Sequence, residues 1–275
     1  MGYREYYSDR YRNEEREKPN KIVIAAALIF LVLVVAYAIN YTLPIFVPRQ
    51  VLVVATSTPF PPFEDENEGE VIGFDIDLAR LIAKEMGMDL RIVNFRDFNS
   101  LFPAIASGEI DMIAAAITIT PERQEAFDFS SPYYTSDQAV LTRSDSGFAC
   151  GDTCNSADFE GYSVGVQTDT TSESWASDNL SNKTTTINSQ HDLATLLLLL
   201  KTGKIGALIL DSPVAQAYAK SDTAFKIAGV IKTNEQYGFV IQLGDPKQLL
   251  EKVNTALANL IDSGEYDKLI QKWFQ

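Results

Sequence analysis

Cysteine, histidine and positive charge are all scarce in this chain of 275 residues. It has two cysteines, one histidine, and 23 lysines and arginines against 37 acidic residues, for a net charge of −14. The acidic excess argues against a nucleic-acid partner, since phosphate backbones select basic surfaces. The two cysteines, Cys150 and Cys154, lie close together in GFACGDTCN. Two thiols with no histidine nearby cannot complete a tetrahedral zinc shell, so a local disulfide is expected in place of a metal site. No cofactor is expected either.

Long apolar runs are also missing, with one exception. Ile22 to Pro48 contains no charged residue, and Ile22 to Ile39 is almost wholly apolar. At about 1.5 Å per residue, a helix of that length reaches across a bilayer core. Arg4, Arg10, Arg12, Arg16, Lys18 and Lys21 precede it, and only Arg49 follows closely. The positive-inside rule then predicts a cytoplasmic tail over 1–21, a transmembrane signal anchor over 22–40 and a short stalk over 41–49, stiffened by Pro44 and Pro48. Ala36 and Ala38 form an A-x-A pattern that keeps a cleavable signal peptide open as the alternative. The long basic lead and the length of the run favour an uncleaved anchor, with the rest of the chain outside the cell membrane. No cysteine directly follows the run, which excludes a bacterial lipid anchor.

The rest of the chain alternates short strands with amphipathic helices, the pattern of an α/β protein. Strands are predicted at 51–55, 91–95, 111–116, 162–167, 184–188, 207–210 and 225–230. Helices are predicted at 74–86, 99–106, 192–201, 213–219, 246–260 and 266–274. Five consecutive leucines, Leu196–Leu200, suggest a helix buried on most sides.

The chemistry concentrates in Ala114–Pro132, AAAITITPERQEAFDFSSP. Here an apolar strand leads into a helix that opens with Pro121 and carries Arg123 in its first turn. A cation there opposes the helix dipole and needs an anion. Glu122 and Glu125 could supply one as surface pairs; the alternative is a carboxylate ligand gripped bidentately. Thr120 before Pro121 reads as an N-cap. Asp211 likewise reads as a helix cap ahead of Ser212-Pro213, although it also ends an apolar strand, where open α/β sheets bind ligands.

Several stretches, in order, carry a resemblance: LVVATSTPFPPFE (Leu52–Glu64), GFDIDLARLIAKEMG (Gly73–Gly87), the AAAITITPER run, DFSSPYY (Asp128–Tyr134), VGVQTDTTSE (Val164–Glu173), ALILDSPVA (Ala207–Ala215), YGFVIQLGD (Tyr237–Asp245) and SGEYDKLIQKWF (Ser263–Phe274). Together they resemble the polar amino-acid-binding proteins of ABC importers, extracellular solute-binding protein family 3. The resemblance implies a bilobed, periplasmic-binding-protein-like (type II) fold. Lobe 1 would comprise 50–136 plus 237–275 and lobe 2 137–236, joined by two hinge crossings near Tyr133–Asp137 and Asn234–Gly238. It also implies a free L-amino acid as ligand and ABC permease subunits as partners.

The same resemblance distributes roles over the cleft. Arg123 and the main-chain N–H groups of Thr170, Thr171 and Ser172 would hold the carboxylate. Asp211 and the Ala116 carbonyl would meet the ammonium, the Thr118 hydroxyl would meet the ligand, and Phe60 and Phe98 would sandwich the side chain. Two departures bear on ligand choice. Ser57 stands where several relatives have an acid. Asp169 stands where many have glycine, which puts the backbone of the Gln167–Ser172 loop in doubt. With Glu64, Asp65 and Glu66 read as a solvated turn, no acid is left for a cationic ligand side chain, and a polar uncharged amino acid such as glutamine is expected. His191 reads as a surface residue. A sensory ectodomain and a cyclohexadienyl-dehydratase-like enzyme are the rival functions. The first lacks an output domain within this sequence, and the second finds no extra His, Lys or Cys at the matched cleft positions.

Overall fold

A computed structural model describes residues 20–42, 50–181 and 184–275. The expected cytoplasmic tail, up to residue 19, and the stalk beyond residue 42 lie outside them. The chain divides into two compact units, Met1–Pro48 and Arg49–Gln275.

In the first unit, helix α1 runs Lys21–Thr42. Its described large apolar side chains are uncovered, with Leu28 57% and Phe30 69% exposed. Among the described residues no helix is long and apolar enough to cross a membrane.

The second unit opens with β1 (Val51–Thr56), a hairpin of β2 (Asp65–Asn67) and β3 (Glu70–Ile72), and α2 (Phe74–Glu85). Helix α2 buries Ile76, Leu78, Ala79, Ile82 and Ala83 on one face, the 3.6-residue stripe that its sequence predicts. Gly73 ahead of it has φ 141°, and a Cβ there would stand 2.0 Å from the Phe63 carbonyl oxygen, so no other residue fits. There follow β4 (Asp89–Asn94), α3 (Leu101–Ser107), β5 (Met112–Ile113), α4 (Pro121–Ala126) and β6 (Phe127–Phe129).

Next come β7 (Tyr134–Arg143), β8 (Ser163–Gln167), α5 (Thr171–Leu180), β9 (Thr186–Gln190), α6 (Leu193–Lys201), β10 (Ala207–Asp211), α7 (Ser212–Ser221) and β11 (Phe225–Tyr237). The chain closes with β12 (Val240–Gln242), α8 (Leu250–Asp262) and α9 (Glu265–Phe274).

The strands form two five-stranded mixed sheets, ordered β4-β1-β5-β12-β6 and β11-β7-β10-β8-β9. The chain passes from the first sheet to the second between β6 and β7 and returns between β11 and β12. The two crossing strands pair with each other, Tyr237 opposite Tyr134 and Glu235 opposite Ser136. Aromatic rings pack around this crossover: Tyr133 stacks on Phe239 at 4.5 Å, Tyr134 on Phe274 at 4.9 Å, and Phe63 meets Tyr237 edge-on at 5.3 Å.

Several expectations change. The five leucines are not buried on most sides: Leu196 and Leu200 are sealed, but Leu198 is 61% exposed, so α6 packs through one face. The strand predicted at 111–116 is only Met112–Ile113, because Ala116 adopts φ 48°, outside strand geometry. Helix α8 begins at Leu250 and not near Pro246, since Asp245 and Gln248 both have positive φ and the Asp245 carboxylate takes the N–H groups of Leu249 and Leu250. Cys150 and Cys154 are joined by a disulfide.

Candidate ligand-binding cleft

A cleft between the two sheets gathers all the residues singled out for ligand contact. Ser57, Phe60, Phe98, Ala116, Thr118 and Arg123 line it from the side of the first sheet, and Gln167, Thr170, Thr171, Ser172 and Asp211 from the side of the second. Their positions follow from local structure. Ser57 follows the end of β1. Phe60 lies in the Pro-rich loop beyond, closed by its N–H to the Glu64 carbonyl at 2.7 Å. Phe98 opens a short 3-10 turn whose cap is Asp97.

Thr120 caps α4 by accepting the N–H of Arg123 at 3.2 Å, as its sequence predicts. Arg123 makes no ion pair with Glu122 or Glu125. Its guanidinium donates to two main-chain carbonyls at 3.0 Å each, Thr118 on its own side and Asp169 across the cleft, and lies 5.5 Å from the Phe102 ring centre. Burial pulls its pKa below the usual arginine value, and Glu235, Asp211 and Asp169 push the other way. Asp169 takes the left-handed backbone conformation itself, φ 58°, so the position does not require glycine here.

Across the cleft, Thr170 caps α5. Its first-turn N–H groups and partial positive charge face a region where an anion is stabilised. Asp211 sits at the cap position of α7 but makes no side-chain capping bond. Its carboxylate accepts instead from Gln138 Nε2. Burial, and then the charge of Glu235, raise its pKa to about 7. A carboxylate so placed is short of a cation.

Ala116 is held in its left-handed conformation from behind. Its N–H donates to Asp75 Oδ2 at 2.8 Å, and that oxygen also accepts from Tyr133 at 2.6 Å. Burial raises Asp75 to about 7 as well. His191 is exposed, yet its Nδ1 lies 2.9 Å from Asn99 Nδ2, across the cleft, and 2.8 Å from Thr168 Oγ1.

The sequence reading missed three groups. Glu64 is not on a solvated turn: it is 1% exposed, lines the cleft, and its Oε2 has no hydrogen-bond partner among the described residues. Burial, followed by repulsion from Asp75 and Asp211, drives its pKa well above the ordinary carboxylate range. Only Asp65 and Glu66 lie on the hairpin. Gln138, fully buried, and Glu235 form a polar layer behind the second wall. Nothing in their immediate sequence marks them, since both lie on the crossing strands that bring them together behind the cleft wall.

Two α/β sheets joined by paired crossing strands, with opposed charges on the walls between them, define a two-lobed solute-binding protein. The chain belongs to the bacterial extracellular solute-binding proteins, family 3, whose profile matches residues 52–275. It is 30% identical over 229 residues to the arginine-binding extracellular protein ArtP of Bacillus subtilis, covering 82% of this chain and 87% of that one. An ancestral arginine-binding protein, solved with arginine and with glutamine, superposes with a TM-score of 0.76 at 36% identity, covering 82% of this chain and 99% or 98% of that one. An ancestral amino acid-binding protein, described as a precursor of cyclohexadienyl dehydratase, gives 0.73 at 36% identity, over 82% of this chain and 95% of its own. These named relatives are binding proteins.

Proposed function

We propose that this chain is a membrane-tethered, non-enzymatic receptor that delivers a free L-amino acid with a cationic side chain to an ABC-type permease. The α-carboxylate would meet Arg123 and the N-terminus of α5, and the α-ammonium would meet Asp211, Thr118 and the Ala116 carbonyl. Phe60 and Phe98 would flank the side chain. Lobe 1 would comprise 50–136 plus 237–275, and lobe 2 137–236.

The observation that carries the ligand class is Glu64. The expectation of an uncharged side chain rested on the absence of a buried acid near Ser57, and the burial of Glu64 in the cleft removes that premise. An unpaired carboxylate shielded from water is costly, and a guanidinium or ammonium group from the ligand offsets that cost. The relatives named above include arginine-binding proteins, and one of them was also solved with glutamine bound. The test is a calorimetric screen of the protein against the twenty amino acids. Arginine or lysine should bind tighter than glutamine by about tenfold or more, as one charge-assisted contact warrants. Tighter glutamine binding would restore the uncharged reading.

Tethering rests on the sequence over Ile22–Ile39, the basic residues before it, and the uncovered apolar side chains of α1, a surface that needs lipid or protein against it. In membrane fractions the protein should resist carbonate extraction. A cleaved soluble product beginning after Ala38 would show a signal peptide instead.

A further inference from the structure

Glu235 does not line the cleft, yet its carboxylate touches two residues that do. It leaves β11 where the pairing register shifts between Ile231 and Glu235, beside Asn234 at φ 52°. From there Oε2 accepts from Thr118 Oγ1 at 2.7 Å and from Thr171 Oγ1 at 2.8 Å. Its other oxygen, Oε1, accepts from Gln138 Nε2 at 3.0 Å.

A carboxylate only accepts, so both hydroxyls must donate to it. Each threonine has one hydroxyl proton. With that proton committed to Glu235, the hydroxyl meets the cleft with lone pairs alone. Thr171 spends part of its acceptor capacity on Gln138 Nε2 at 3.3 Å, which leaves Thr118 as the stronger acceptor toward the ligand. Ser172 follows the same pattern, its hydroxyl donating away from the cleft to Gln138 Oε1 at 2.6 Å.

We propose that Glu235 is a positioning residue that fixes the hydrogen-bond polarity of Thr118 and Thr171, making them acceptors that select an α-ammonium group and disfavour ligands without one. The proposal rests on the amino-acid reading above. It also predicts what an isostere does. In Glu235→Gln, the Gln138 amide still requires an acceptor, so the new carbonyl oxygen takes the place of Oε1. The new NH2 group then faces the two threonines, and a donor there turns their protons toward the cleft. The polarity of the wall is reversed with no change in shape.

The test titrates the full-length protein with L-arginine and with 5-guanidinopentanoate, the same molecule without its α-ammonium. The wild type should prefer arginine. Glu235→Gln should reduce that preference roughly 10- to 100-fold, the range of one charge-assisted hydrogen bond. Arginine should weaken, while the desamino acid stays level or tightens. Thr118→Val, which deletes the acceptor, should lower the preference through arginine alone, and it carries the test if Glu235→Gln does not fold. Equal weakening of both ligands in Glu235→Gln, or an unchanged preference in Thr118→Val, overturns the inference and leaves the amino-acid reading standing. A wild type that binds neither arginine nor any other amino acid overturns the reading and the inference together.

Discussion

The two walls of the cleft carry opposite charge by different means. On the first-sheet side the cation is a side chain, Arg123, set in the first turn of a short helix against the local dipole. It is kept in place by carbonyls of both walls and a ring face. On the second-sheet side the positive character belongs to the main chain, at the start of α5, and the charged side chain is an anion, Asp211, shielded from water at the end of a strand. Neither charge is neutralised by its own wall. The difference teaches that the cleft is built for a molecule carrying both signs, and that the anionic wall is under the greater strain, with Asp211 already raised to about 7 by burial and Glu235.

The comparison breaks most directly by removing one charge. Arg123→Ala and Asp211→Ala should each weaken amino-acid binding by about 2–5 kcal/mol, or roughly 30- to 5,000-fold. Near-wild-type affinity in either variant, by calorimetry, would assign that residue a structural role only. Glu64→Gln should act on selectivity more than on overall affinity. It should lower the ratio of arginine to glutamine affinity by roughly 10- to 100-fold, and a constant ratio would separate Glu64 from the ligand side chain.

Acidity sharpens the contrast between the walls, because over the neutral range it titrates the anionic one. In the proposed binding mode the ligand's ammonium pairs with ionised Asp211, whose pKa is about 7 when the cleft is empty. Affinity should therefore fall as pH drops below 7, by up to about tenfold per unit, and level off above it. A flat profile between pH 8 and 5.5 would count against Asp211 as the ammonium partner. Stability of the empty protein should move the opposite way. Asp75 and Asp211, both raised to about 7, hold more protons folded than unfolded between about pH 4 and 7, so the melting temperature should decline as pH rises through that window. The smallest effect is expected far from the cleft: Leu198→Ser on the outer face of α6 should change stability by no more than about 0.5 kcal/mol in chemical denaturation. A larger loss would restore an all-round buried helix.

How far the sequence could be read follows the range over which each feature is determined. The stripe of α2 and the cap of α4 depend on residues three or four apart, and both were legible. The eleven residues singled out in the sequence line one cavity because each lies at a strand end, a loop or a helix start. Glu64 was misread because its neighbours Asp65 and Glu66 are solvated hairpin residues, and charge runs give no sign of which member turns inward. Glu235 and Gln138 were invisible for a related reason: they come together behind the cleft wall only after the crossing strands pair across about a hundred residues of chain. Positive φ at Ala116 and at Gln248 escaped because alanine and glutamine seldom adopt it; Ala116 is held by a contact with Asp75.

The position of β12 constrains the order in which the chain can be assembled. This strand, Val240–Gln242, sits inside the first sheet between β5 and β6. The sheet that begins at residue 51 therefore stays incomplete until Val240–Gln242 has been made, whereas all five strands of the second sheet lie within one uninterrupted stretch, Tyr134–Tyr237. During vectorial synthesis the half inserted into the middle of the sequence has its full set of strands first, and the half that contains the beginning closes last.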